Sequence, residues 1–423
     1  MLKTELYSKD IPDTYRRFAA TMGHKHWLIQ KKKIQERIKG HPELKEYLWE
    51  ENQIVLSLCQ YEALFRRPHY TPGELENKLL YPAITFAAQT LSIMDSVKDS
   101  EKHKLIRRIH GAIKNPNDLR ALELEIQVAT HFTTLGYNVI WPEIEGCKET
   151  YDLLIEGIGD KGLEVECKSI SKDKGLKIHQ LERLEFYAIL KKEISDFVTR
   201  LEKSLTVVLT LPDRMPRDFI QRRSMIRQIR QQIFLGEDHA YENGIRIRIG
   251  TLDSARLPEC ARTGKNTFTM EDIREFTGTE NQGAMIYANK AGGGMIFTVQ
   301  SQKDDTLLPS IFKTLTKSAK KQLTGDRPAI FCVGLHGISI QDLSEIVRQD
   351  QEIGQQPTAL RKSVSEYLNK NNQDHVVGVN FLVKNGTREL QENLDSISGG
   401  KTYNFSKNES PYWHKDFEAL FKL

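Results

Sequence analysis

The segment GLEVECKSIS, residues 162–171, limits what this chain can fold into more than any other stretch. Side chains at i, i+2 and i+4 of a strand share a face. Leu163, Val165 and Cys167 therefore take one side, and Glu164, Glu166 and Lys168 the other. An unpaired buried charge is costly, so the charged side must meet water, pair internally or hold an ion. One arrangement is an edge strand whose outer face is laced by Glu–Lys pairs, which also discourage pairing between chains. The other is a site for a hard divalent cation, Mg²⁺ or Mn²⁺, bound through carboxylate and carbonyl oxygens. Asp152, at the start of the preceding strand, and Glu166 would supply carboxylates, and the backbone carbonyl of Cys167 a third oxygen. Lys168 would stand beside the ion, placed to orient or deprotonate a water and to offset charge developing on a phosphate.

The flanking pattern gives this strand a context. A helix over 118–135 stops at Gly136 and is followed by the alternating strand YNVIWPEI. YDLLIEGI and GLEVECKSIS follow, separated by the turn GIGDKG. Next come the helix IHQLERLEFYAILKKEISDFVTRL, the apolar strand LTVVLTLP, the basic helix DFIQRRSMIRQIRQQIFLG and the strand GIRIRIGTL. The order is α-β-β-β-α-β with at least one more α-β pair, so the expected class is mixed α/β (α+β). With 39% hydrophobic and 28% charged residues the chain reads as globular.

Three regions are expected. Residues 1–115 read as helical and basic, with 20 Lys/Arg against 14 Asp/Glu, suited to nucleic-acid binding or oligomerisation. Residues 116–262 form the core around the charged strand, and 263–423 a C-terminal α/β region with no assigned role. The runs Lys31–Lys33, Arg66–Arg67 and Arg107–Arg108 read as solvated helix faces. The better candidates for phosphate contacts are the basic helices at 217–230 (Arg217, Arg222, Arg223, Arg227, Arg230) and 313–321 (Lys313, Lys317, Lys320, Lys321). His336 follows a buried strand with nothing nearby to pair with it, and His179 reads as a helix-start residue. The five cysteines are scattered with no CxxC pair, which points to a reducing cytoplasm and away from a disulfide framework. No stretch approaches the ~18 apolar residues of a membrane span, and no P-loop, GxSxG elbow, HExxH helix or zinc-ligand spacing occurs.

The order helix, three strands, helix, strand, with Asp152, thirteen intervening residues, then Glu166-Cys167-Lys168, resembles the PD-(D/E)XK (restriction-endonuclease-like) nuclease superfamily. ELEIQVATHFTTLGYNVIWPEI is similar to the segment that opens many such cores, and the resemblance covers roughly residues 115–215. It implies that Asp152 and Glu166 are metal ligands, Lys168 the catalytic lysine, and Glu125 the helix carboxylate completing the site directly or through water. Glu125 is preferred to Glu123 because it shares a stripe with Val128, Ala129 and Phe132. Glu123 and Glu164 read as solvent-exposed. Tyr151 stands where a proline is common, and Gln180 lies near the place of a glutamine that many members carry in the next helix.

The function implied is a metal-dependent nuclease hydrolysing phosphodiester bonds, a DNA endonuclease of prokaryotic restriction or phage defence. The alternatives are an RNA-cleaving nuclease of the same fold and a non-catalytic nucleic-acid-binding or assembly protein. Double-stranded DNA is the expected partner, with a homo-oligomer and a protein partner or activator allowed for, and no membrane.

Overall fold

A computed structural model describes residues 3–67, 69, 79–145, 148–252, 268–279, 283–289, 293–370, 373–384 and 396–421. Cys147 and Cys260 lie outside the described residues; Cys59, Cys167 and Cys332 are free and buried. The chain is mixed α/β, and it divides into two compact units. The first comprises Met1–Lys39, Leu48–Lys174 and Leu307–Leu423, the second Gly40–Tyr47 and Gly175–Thr306.

The first unit is built on a seven-stranded sheet in the order β1 (Lys3–Leu6), β12 (Ser396–Ser406), β11 (Val376–Lys384), β10 (Ala329–Leu335), β4 (Leu163–Ile170), β3 (Leu153–Glu156), β2 (Asn138–Ile140). β4, β10 and β11 run parallel, and the other neighbours are antiparallel. The expected helical region is present as α1 (Ile11–Met22), α2 (Lys25–Gly40), α3 (Gln53–Phe65), α4 (Tyr81–Ser96) and α5 (Asp99–Ala112). It is not set apart from the sheet, because β1 pairs with β12.

α6 (Pro116–Thr134) begins where Asn115 accepts a hydrogen bond from Asn117 N, 3.0 Å, with Pro116 in the first turn. It covers one face of the sheet so closely that a Cβ on Gly334 of β10 would stand 3.1 Å from Leu124 Cδ2. The other face is covered by α10 (Leu307–Lys321), α11 (Ile340–Gln351) and α12 (Ala359–Leu368). Ile311, Phe312, Leu315, Leu343, Leu360 and Val364 pack there on Ile170, Phe331, Val333 and Leu335. The β3–β4 hairpin pairs Leu153 with Val165 and Ile155 with Leu163. Its last turn residue, Gly162, has φ +74°, and a Cβ there would meet Ile155 O at 2.8 Å, so glycine is required.

Parallel neighbours need a long crossover connection, usually through a helix. β4 reaches β10 through α10, but Gly175–Thr306, the larger part of the second unit, is spliced into that connection. Within the second unit the two ends of the insert are bonded to each other. Thr306 N donates to Gly175 O, 2.9 Å, and Lys177 N to Asp305 Oδ1, 2.7 Å. Its sheet runs β6 (His239–Ala240), β7 (Arg246–Leu252), β5 (Ser204–Leu211), β9 (Gly294–Ser301), β8 (Ala284–Ala288). The helices are α7 (Gln180–Val198), α8 (Phe219–Leu235) and α9 (Met270–Thr277), around a core of Phe186, Leu190, Ile226, Ile229 and Phe297.

The order helix, three strands, helix, strand is therefore made by α6-β2-β3-β4-α10-β10. The helix and strand expected to complete it, α7 and β5, belong to the second unit, so the division at 116–262 and 263–423 differs from the two units seen. LTVVLTLP and PAIFCVGL are both apolar runs of the kind that form buried parallel strands, and only tertiary pairing tells them apart.

β4 is central, not an edge strand, and Glu164 is fully buried rather than solvated. Its Oε2 accepts from Thr324 N at 3.0 Å and its Oε1 from Thr324 Oγ1 at 2.5 Å, which ties β4 to the turn between α10 and β10. Glu164→Ala removes two hydrogen bonds to a buried carboxylate and frees that turn, and is expected to cost about 1–3 kcal/mol in urea unfolding. Thr324→Val, which leaves the amide in place, is expected to cost less.

Candidate active site

Because β4 is covered on both faces, its carboxylates are shut off from bulk water. Glu166 is fully buried, and Lys168 is 19% exposed at the side chain. They stand beside Phe331 and Val333 in the parallel register with β10. Lys168 Nζ is bonded to Glu166 Oε1 and donates to Gln322 Oε1 at 3.0 Å, just past the end of α10. Glu166 Oε2 is buried without an aligned hydrogen-bond partner.

Asp152 immediately precedes β3, and its Oδ2 accepts from Cys167 N at 2.7 Å. In an antiparallel pair the N–H and C=O of a residue leave the strand on the same side. The Cys167 carbonyl thus points toward Asp152 as well. The Cys167 thiol lies against Cys332, its register partner, and burial keeps it protonated.

α6 supplies Glu125 on the stripe of Val128, Ala129 and Phe132, all buried, and Glu125 itself is 5% exposed. Arg108 Nη2 of α5 lies 2.7 Å from Glu125 Oε2 and 3.1 Å from Glu143 Oε2, with its guanidinium 5.9 Å from the Trp141 ring centre.

The electrostatics follow from this crowding. Burial first, then the charge of Asp152, pushes Glu125 up to about 8, with Arg108 pulling the other way. Burial and Asp152 likewise raise Glu166 to about 8, opposed by Lys168 and the Asp152 N–H. Asp152 is itself raised by burial, and the Cys167 N–H, Lys168 and Arg108 hold it back. Glu125 and Glu166 each feel the charge of Asp152 in a place that water screens poorly, so a proton or cation added there relieves them.

The set suits a hard divalent cation by its chemistry: carboxylate and carbonyl oxygens, raised carboxyls and a buried oxygen without an aligned hydrogen-bond partner. Among the described residues no three His, Cys, Asp or Glu side chains are drawn together closely enough to hold an ion as they stand. Arg108 and Lys168 occupy oxygens of Glu125 and Glu166 instead.

Asp152, Glu166, Cys167, Lys168 and Glu125 are thus joined by short contacts and mutual fields. Other expected roles are corrected. Glu123 is 9% exposed and ion-paired with Lys384, not solvated. His336 does have a partner: Ser169 Oγ is 2.9 Å from its Nε2, and burial lowers it to about 3. The helix at 217–230 lies in the second unit with Gln180, and its Arg222 is buried, donating to Pro216 O at 2.5 Å. His179 caps the start of α7, as read.

Arg108 and Gln322 join the cluster without a signal in the sequence. Arg108 stood in a basic run whose neighbour Arg107 is exposed, and no local pattern separates the two. Gln322 becomes visible only once α10 and β10 are taken as the pair that follows β4. Among protein-family models, curated proteins and solved structures, nothing matches this chain.

Folding raises Glu125 and Glu166 from 4.5 to about 8, so the folded state binds protons that the unfolded state has released. Their contribution to stability is complete below the unfolded value and is lost as pH rises through the folded one. Urea unfolding in EDTA should therefore show falling stability between about pH 5 and about pH 9. The Glu125→Gln/Glu166→Gln double variant should flatten that fall. Equal slopes for the two proteins would show that these carboxyls titrate normally.

Proposed function

We propose that this chain is a metal-dependent nuclease of the PD-(D/E)XK type that hydrolyses phosphodiester bonds in DNA, in a restriction or phage-defence role. The observation that carries the reading is the cluster of buried Glu166 and Glu125 with half-buried Asp152 and Lys168, set on the order α6-β2-β3-β4-α10-β10. A scaffold has no need of it. Apolar residues of similar volume would leave a core at least as stable, whereas carboxyls raised by burial and by one another are the mark of groups tuned for chemistry.

Asp152, Glu166 and the Cys167 carbonyl would hold Mg²⁺ or Mn²⁺, with Glu125 completing the set directly or through water. Such an ion lowers the pKa of a bound water and polarises a phosphoryl oxygen. Gln322 and Glu166 fix the Lys168 ammonium beside the carboxylates, where it can orient a water and offset negative charge growing on the phosphate. Arg108, released from Glu125, would carry its charge toward the same phosphate. Lys313, Lys317, Lys320 and Lys321 are exposed on α10, the helix that leads to Gln322, and suit contacts to the nucleic-acid backbone.

The test is cleavage of supercoiled plasmid, linear DNA and RNA in Mg²⁺, in Mn²⁺ and in EDTA. Lys168→Ala and Asp152→Ala are each expected to slow metal-dependent cutting of DNA by about 100-fold or more. No cutting by the native protein, together with no rise in its melting temperature on adding metal, would leave a structural role for the cluster. Cutting confined to RNA would move the substrate class and keep the site.

A further inference from the structure

We propose that the exposed face of α8 in the second unit binds nucleic acid through its phosphates; the choice of nucleic acid among polyanions rests on the nuclease reading above. Between Phe219 and Leu235 the helix holds four arginines and no acidic residue. Its inner face, with Met225, Ile226, Ile229 and Ile233, is consumed by the core of the unit. Arg222 turns inward too, bonded to Pro216 O and 3.4 Å from Glu185 Oε2.

The outer face is different. Arg223, Arg227, Arg230 and Phe234 follow one another at intervals of four, three and four, which places them in one line along the helix. All four are exposed. Arg214 and Arg217, in the approach to the helix, are exposed as well. Glu193 stands 3.7 Å from Arg223, and the Arg230 guanidinium lies 6.0 Å from the Phe234 ring centre. Three arginines spread over about 10 Å of helix match about three phosphates of one strand, at ~3.4 Å of axis each.

An anionic membrane surface is the competing partner, because Phe219, Ile220, Phe234 and Leu235 are 58–75% exposed. These apolar residues stand at the two ends of the helix, about 20 Å apart. A membrane-surface helix needs a continuous apolar face, and here that face is buried in the protein. The uninterrupted feature is the arginine line.

The experiment is fluorescence anisotropy with labelled single- and double-stranded DNA and RNA oligonucleotides, using the full chain in EDTA across a salt series. In the Arg223→Gln/Arg227→Gln/Arg230→Gln variant the slope of log K against log salt should become shallower by about 2–3. The triple Lys variant should keep the native slope. Both are expected to melt with the native protein, since Gln, Lys and Arg have similar helix propensity. An unchanged slope in the Gln variant overturns the proposal. Native protein that ignores every oligonucleotide but binds phosphatidylserine vesicles overturns it in favour of a membrane. Cutting in Mg²⁺ reports separately on the Asp152 site. Arginine-dependent binding without cutting and without metal stabilisation would therefore retire the nuclease reading and leave the α8 face standing.

Discussion

The burial of charged residues on β4 is the constraint from which the rest of the first unit can be read. A strand covered on both faces normally carries apolar side chains throughout. This one carries Glu164 and Glu166 at zero exposure, so each must be answered by a donor brought from elsewhere in the fold. Thr324 answers Glu164 from the turn before β10, and Lys168 answers Glu166 along the same strand. Cys167 N–H holds Asp152, and Arg108 reaches Glu125 across from α5. The hairpin and the α10–β10 turn are thus tied to one strand by polar contacts, and α5 is tied to α6 beside them, beyond the apolar packing on either face. A change in any of these elements is felt as an unpaired buried charge, whose cost is larger than that of a lost surface pair.

The placement of β10 shows how such a strand tolerates a large insertion. The parallel register of β4 with β10, Glu164 beside Ala329 through Ile170 beside Leu335, needs only a crossover of sufficient length. Beyond that minimum, further residues add closure entropy only slowly. The second unit meets this condition by bonding its own entry and exit, Gly175 to Thr306, so its sheet forms without taking strands from the first. Its own five-stranded sheet and core make it an inserted domain, not an elaborated loop.

What was legible in the sequence was whatever a short period encodes. The two-residue period of GLEVECKSIS separated the charged face from the apolar one, and the 3.6-residue period of α6 aimed Glu125 inward with Val128, Ala129 and Phe132. Period says nothing of what lies opposite. Glu123 and Glu164 looked like surface residues because their partners, Lys384 and Thr324, are remote in sequence. β5 reads as the strand that completes the order because it comes first in the chain, whereas pairing places β10 beside β4. Arg108 carried no mark at all, since its role depends on α5 meeting α6 at one particular turn.

The balance of charge at the cluster supports the chemical role proposed for it. Asp152, Glu166 and Glu125 bring three carboxyls, with Glu143 at the margin, against the two cations Lys168 and Arg108. Were the arrangement purely structural, the cheapest solution would be to pair each acid fully or to replace it with an apolar side chain. Instead Glu166 Oε2 remains buried without an aligned donor, and two carboxyls are raised to about 8. The two cations differ in how they are held: Lys168 is fixed between Glu166 and Gln322, while Arg108 is shared between a buried acid and the 68%-exposed Glu143. On the proposed reading that difference has a use. The lysine stays where charge develops, and the arginine, with one partner already near water, is the charge that can be given up when a stronger cation takes its place.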